Sequence, residues 1–286
     1  MPPLRNLLRF AAVVVASGLV VAGGRAGARE GVDVPPPSVA SKLVSADQVE
    51  RTAVQQYGQL LAQARSQNAL APANHPQLVR LRAIAERLIP HTYEWNPRAR
   101  EWNWEVNLIG SKQVNAFCMP GGKIAFFTGI LQKLQLNDDE VAMIMGHEMT
   151  HALREHAREQ MGKSAATQGA IELGSALFGL GNIGRAVAGA GGQLLSLHFS
   201  RDDETEADLI GLELAARAGY DPHAGVTLWQ KMSELGGGAS AEFLSTHPAS
   251  GTRIKDIEAN IPKVEGLYER APKPARRFEP PPKSES

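Results

Sequence analysis

The chain has 286 residues, 43% hydrophobic and 21% charged, the proportions of a folded globular protein rather than a disordered or fibrous one. Lys and Arg together number 30, as do Asp and Glu, so the formal net charge is zero and no basic field argues for a nucleic-acid partner. A single cysteine, Cys118, excludes an intramolecular disulfide and any cysteine-built zinc site.

Residues 1–28 read as a secretory signal. Arg5 and Arg9 precede an apolar run from Phe10 to Ala22, and Ala26-Gly27-Ala28 supplies the small residues of a cleavage site. The run is short for a spanning helix, which needs roughly 20 apolar residues. An uncleaved inner-membrane anchor is the alternative. Either way the body of the chain is expected to be exported, which in a bacterium means the periplasm.

Residues 29–44, with Pro35-Pro36-Pro37, are expected to form a stiff linker. The domain proper is placed at 45–262. Ser45 or Asp47 caps a first helix in which Val49, Ala53, Tyr57, Leu60 and Leu61 recur at helical spacing. A second helix carries Leu78, Leu81, Ile84 and Leu88. Alternation at Trp102, Trp104, Val106 and Leu108 predicts a strand. Residues 114–119 and 123–128 predict two more around a Pro120-Gly121-Gly122 turn. Asn137 caps a long helix, with Glu140 as its capping-box acid, running to about Met161. Residues 162–196 are rich in Gly and Ala, but Glu172 and Arg185 interrupt them too closely for a membrane span. They read as two small-residue helices around Gly179-Leu180-Gly181, or in part as a loop. Helices are then predicted at 201–218, 222–235 and 250–261, and a disordered Pro-rich tail at 263–286.

The chemistry concentrates at His147-Glu148-Met149-Thr150-His151. Two histidines four residues apart lie on one helix face, so both can reach one ion. Glu148 flanks that ion and can take a proton from water whose pKa zinc lowers toward about 7. The third ligand must be His, Asp or Glu, since cysteine is lacking. His156, two and a half turns beyond His147 on a continuous helix, is expected to point away as a solvated side chain. His198 is possible but sits between Leu197 and Phe199. Glu204 and Asp208, also i and i+4, are the better candidates, one to ligate and one to accept a ring N–H from a ligating His.

The motifs Val114-Asn115-Ala116-Phe117, Pro120-Gly121-Gly122, H-E-x-x-H, Ser200-Arg201-x-x-Glu204-x-Glu206-Ala207-Asp208 and Ser245-Thr246-His247-Pro248 follow in this order. Over residues 78–261 the chain thereby resembles the gluzincin family of CAAX prenyl proteases, HtpX and Oma-type peptidases. In layout it is nearest the soluble periplasmic BepA- and LoiP-like members. The resemblance implies an α+β, mostly helical zincin-like domain with a small antiparallel sheet beside the H-E-x-x-H helix. It implies one Zn2+ per chain on His147, His151 and Glu204, Glu148 as general base, and Asp208 as the partner of a ligating His. It implies that His247 acts on the oxyanion or approaches the zinc in a resting state. It also implies that Asn115, Ala116 and Phe117 pair with substrate as an added strand. Polypeptide substrates follow, with quality control of misfolded or misassembled envelope proteins as the role. Envelope or outer-membrane assembly machinery is a further expected partner, with at most peripheral membrane contact. The chain lacks the multiple spanning helices of membrane-embedded members, and residues 162–196, in their place, are expected to form a lid or membrane-facing hairpin. The rival reading is an envelope chaperone or assembly factor with a gated or mostly structural zinc, against which the intact Glu148 argues.

Overall fold

The computed structural model describes residues 29–178, 198–235, 243, 247 and 251–282. The expected signal and most of the Gly/Ala-rich stretch, 179–197, lie outside the described residues.

The fold is α+β and mostly helical. Helix α1 (Ala46–Ser66) starts at Ser45, whose side chain accepts from the Gln48 amide. Helix α2 (Pro76–Leu88) places Leu78, Leu81, Ile84 and Leu88 inward, as their spacing predicts. Three strands follow, β1 (Glu105–Ile109), β2 (Ala116–Met119) and β3 (Lys123–Phe127). A short helix α3 (Thr128–Leu134), not foreseen, leads into α4 (Asp138–Leu153). Helices α5 (His156–Phe178), α6 (Arg201–Arg217), α7 (Ala224–Glu234) and α8 (Gly251–Arg270) complete the described elements.

The sheet is mixed, not wholly antiparallel as expected. Its order is β1-β3-β2, with β3 parallel to β1 and antiparallel to β2. The tight turn between β2 and β3 forces them antiparallel. Gly121 and Gly122 there hold φ of +82° and +76°, and a Cβ on Gly122 would sit 2.8 Å from the Trp104 ring. The longer 110–115 connection lets β1 lie on the far side of β3. One sheet face, with Ala116, Cys118, Ile124 and Phe126, joins the large helical core. The other, with Phe117, Met119, Ala125 and Phe127, packs on Ala53 and Tyr57 of α1. The Tyr57 hydroxyl donates to the Ile124 carbonyl at 2.6 Å, tying α1 to the sheet.

Three further expectations are corrected. The H-E-x-x-H helix does not run on to Met161. It stops at Leu153, and Glu155, at φ +58°, turns the chain into the separate helix α5. The segment 29–44 is not a free linker. Val32 is buried in the main core, and residues 39–43 form a 3-10 turn against α5, where a Cβ on Gly162 would overlap the Ala40 carbonyl. The chain beyond 262 is not a loose tail either. Helix α8 continues through Pro262, because Ile257, Ile261, Val264 and Leu267 form one buried stripe. Burying such side chains at about 1.5–3 kcal/mol each outweighs the roughly 3 kcal/mol an internal proline costs. The extended residues after it lie along α4's first turn, where the Phe278 amide donates to Asp138 and Arg277 pairs with Asp139. Among the described residues no helix is long and apolar enough to cross a membrane.

Candidate metal centre

The centre is built where α4 crosses α6. The capping box at Asn137 and Glu140 sets the start of α4, and Ser200 with Asp203 sets the start of α6 by the same reciprocal bonds. Their closest approach is glycine on glycine. A Cβ on Gly211 would lie 2.7 Å from the His147 amide nitrogen, and one on Gly146 would lie 2.9 Å from the Gly211 carbonyl oxygen. This contact brings the α6 carboxylates against the α4 imidazoles.

His147, His151, Glu204 and His247 each offer one donor atom, all within 4.8 Å of one another. All four side chains are buried. His147 Nε2 lies 3.1 Å from His151 Nε2, and 3.5 Å from Glu204 Oε2. His247 Nδ1 is 2.9 Å from Glu204 Oε1 and 3.2 Å from His147 Nε2. The outer ring nitrogens are engaged elsewhere. His147 Nδ1 meets Asp208 Oδ1 at 3.0 Å, and His151 Nδ1 meets His156 Nδ1 at 2.9 Å. Donating outward leaves both Nε2 lone pairs aimed at the same point.

That donor set suits a cation. Two acceptor lone pairs at 3.1 Å repel each other unless positive charge lies between them. Three imidazoles and one carboxylate are borderline ligands of the kind Zn2+ takes. Burial pushes the His151 pKa well below the usual histidine range, and the neighbouring His147 adds to this, so the neutral, ligating form is favoured. Burial opposes ionisation of Glu204, but the His247 hydrogen bond and the electrostatic pull of the surrounding histidines and Arg253 outweigh it and hold its carboxyl below the ordinary value.

Glu148 stands beside this group. Burial raises its pKa, against the attraction of His247 and His147. Its Oε1 is buried and accepts no hydrogen bond among the described residues, with His247 Nε2 at 3.6 Å. Burial depresses the pKa of His247, but Glu148 and Glu204 more than compensate and raise it, favouring imidazolium.

Two partners were missed in the sequence. Arg253, from α8, is buried between the two acids of α6: its Nε donates to Asp208 Oδ2 at 2.6 Å and its Nη1 to Glu204 Oε2 at 2.8 Å. Its guanidinium lies 3.6 Å over the Trp229 ring. Burial alone would raise the Asp208 pKa, yet Arg253 and His147 bring it down to about 2. An arginine six residues after a His-Pro pair gave no local signal. Phe199 was read only as apolar context for His198. Its ring stacks on His151 at 4.0 Å between centroids, while His198 is exposed and outside the donor group.

His156 corrects the expectation most sharply. It is 1% exposed rather than solvated, and it contacts His151 directly. The prediction assumed a continuous helix. The left-handed residue Glu155 breaks it and swings His156 back onto the centre. Asn115, Ala116 and Phe117 are not in the donor cluster. Asn115 accepts from the Phe127 amide at the start of β2, which is an edge strand among the described residues. Ala116 faces the helical core, and Phe117 faces α1.

The profile of Peptidase family M48 matches residues 72–261. The chain is 40% identical over 160 residues to mitochondrial metalloendopeptidase OMA1 of Arabidopsis thaliana, covering 56% of this chain and 32% of that protein. It is 32% identical over 225 residues to mitochondrial metalloendopeptidase OMA1 of Schizosaccharomyces pombe, covering 78% of this chain and 64% of that protein. It is 30% identical over 195 residues to metalloprotease LoiP of Escherichia coli (strain K12), covering 67% of this chain and 73% of that protein. The matched region thus spans about a third of one mitochondrial protein, less than two thirds of the other, and about three quarters of the bacterial one.

Proposed function

The chain belongs to Peptidase family M48, and we propose that it is a zinc metalloendopeptidase of the bacterial cell envelope that cleaves misfolded or misassembled envelope proteins. The observation that carries the catalytic part is the convergence of His147, His151 and Glu204 beside a buried Glu148 whose Oε1 has no hydrogen-bond partner among the described residues. The envelope assignment rests on the signal-like residues 1–28.

In this reading His147, His151 and Glu204 hold the zinc. Zinc there supplies Lewis acidity, polarising a peptide carbonyl and lowering the pKa of nearby water. Glu148 Oε1 takes a proton from the attacking water and gives it to the leaving amine. Its raised pKa makes it a stronger base than an exposed carboxylate and a competent acid afterwards. Asp208 fixes the His147 ring with its proton on Nδ1, and Arg253 keeps Asp208 ionised.

His247 Nδ1 lies among these donors, 2.9 Å from Glu204 Oε1 and 3.2 Å from His147 Nε2. In its neutral form it would serve as a resting-state donor. As imidazolium turned toward substrate, it would stabilise developing negative charge on the scissile oxygen. In this reading an extended substrate segment adds to the outer edge of β2, beside Asn115, Ala116 and Phe117. That selects polypeptides, unfolded ones above all. A substrate trap tests the role. Envelopes carrying Glu148→Gln protein should retain bound envelope polypeptides that wild-type envelopes do not. Equal recovery from both would sink the quality-control reading.

A further inference from the structure

The two α4 histidines are oriented by different means. His147 reaches a carboxylate directly, whereas His151 Nδ1 meets another imidazole, His156 Nδ1, at 2.9 Å. His156 Nε2 in turn meets Glu206 Oε2 at 2.8 Å. Glu206 Oε1 accepts from Arg154 Nη2 at 2.6 Å, and the same nitrogen donates to the Pro35 carbonyl at 2.5 Å. The carboxylate can only accept, so His156 carries its proton on Nε2 and presents a lone pair at Nδ1. His151 must then donate from Nδ1, which leaves its Nε2 free for the donor cluster.

We propose that His156 and Glu206 are positioning residues that fix the ring and proton of His151, and that the N-terminal strap 29–44 anchors this relay at Pro35. It rests on the zinc-site reading above. Each link is held from a different element. His156 opens α5, Glu206 lies on α6, Arg154 caps α4, and Pro35 belongs to the strap. The strap is fastened on either side of Pro35. Upstream, buried Glu213 on α6 takes Arg29, Arg217 and the Val32 amide, and the φ +129° of Gly31 leaves no room for a Cβ beside that carboxylate. Downstream, Arg158 Nε donates to the Val44 carbonyl at 2.6 Å. The break at Glu155 gains a purpose from this. A straight helix would carry His156 away from His151, and the left-handed residue returns it.

The relay predicts a coupling between two residues that reach the metal only in series. Zinc affinity is read by competition with a chromogenic chelator, on the full chain. Glu206→Gln keeps the shape but removes the charge, and should weaken zinc about 10-fold or more in the wild-type background. In a His156→Leu background the same change should have no further effect, because the path to His151 is already cut. Unchanged affinity in Glu206→Gln, or an equal loss in both backgrounds, would overturn the proposal. If His156→Leu does not fold, the visible absorption of cobalt(II)-loaded Glu206→Gln decides. A changed d–d spectrum supports the relay, and a wild-type spectrum refutes it. Wild-type protein that binds zinc but cleaves no polypeptide would count against the peptidase reading and leave this one standing.

Discussion

Replacing Gly211 with Ala probes the contact that sets the distance between α4 and α6. The added Cβ would lie 2.7 Å from the His147 amide nitrogen and 3.0 Å from the Gly146 carbonyl carbon. Both are backbone atoms of a buried helix, so neither can rotate aside. Ordinary contact begins near 3.4 Å, so the helices must part by about 0.7 Å (3.4 − 2.7). Overpacking of this kind costs about 1–3 kcal/mol, and the better helix propensity of Ala returns about 1. The net loss of stability is thus roughly 0–2 kcal/mol, or up to about 8 °C in Tm for a domain of this size. The site is less tolerant. Glu204 and Asp208 move with α6, away from His147 and His151, by more than the roughly 0.5 Å that productive geometry allows. A displacement near 1 Å costs on the order of 100-fold. Casein cleavage at saturating zinc should therefore fall about 100-fold while the protein stays folded. Gly58→Ala, on an open face of α1, is the control: it should gain up to about 1 kcal/mol and keep its activity. Wild-type cleavage by Gly211→Ala would refute the claim that this contact sets the site.

Other outcomes follow from the same geometry. Arg253→Met leaves Asp208 and Glu204 without their buried cation and should cost about 3–5 kcal/mol, seen as a lower urea midpoint. Asp208 has a folded pKa of about 2, below its unfolded value. It therefore contributes stability above about pH 4 that is lost as the pH falls toward 2. That contribution is about 2–3 kcal/mol, so between pH 5 and 3 Asp208→Asn should lose less stability than wild type in urea titrations. An equal loss in the two proteins would contradict the assigned pairing. Chelator treatment should abolish cleavage and lower Tm, and added zinc should restore both.

The parts legible in the sequence are those carried by local spacing. The i, i+4 pairs His147 with His151 and Glu204 with Asp208 declared a shared face, and Asn137 with Glu140 declared a helix start. Each depends on residues within one or two turns. What escaped depends on contacts distant in sequence, or on one backbone angle. Arg253 joins Glu204 and Asp208 from a helix about 45 residues away in sequence. The direction of His156 turns on the φ of Glu155, which nothing in Arg154-Glu155-His156 announces. The parallel pairing of β1 with β3 follows from a crossover, not from the alternation that marks each strand. The prolines of residues 29–44 and 263–286 suggest a linker and a tail. Val32 from the first, and Val264 and Leu267 from the second, are nonetheless buried in the core.

The central claim is that Glu148 moves the proton at a zinc site made by His147, His151 and Glu204. Its most direct test measures bound zinc and casein cleavage together, in wild-type and Glu148→Gln protein. Both should bind one zinc per chain, and the variant should cleave at least about 100-fold more slowly, the contribution of a positioned general base. A variant that binds zinc and cleaves at the wild-type rate would contradict the account.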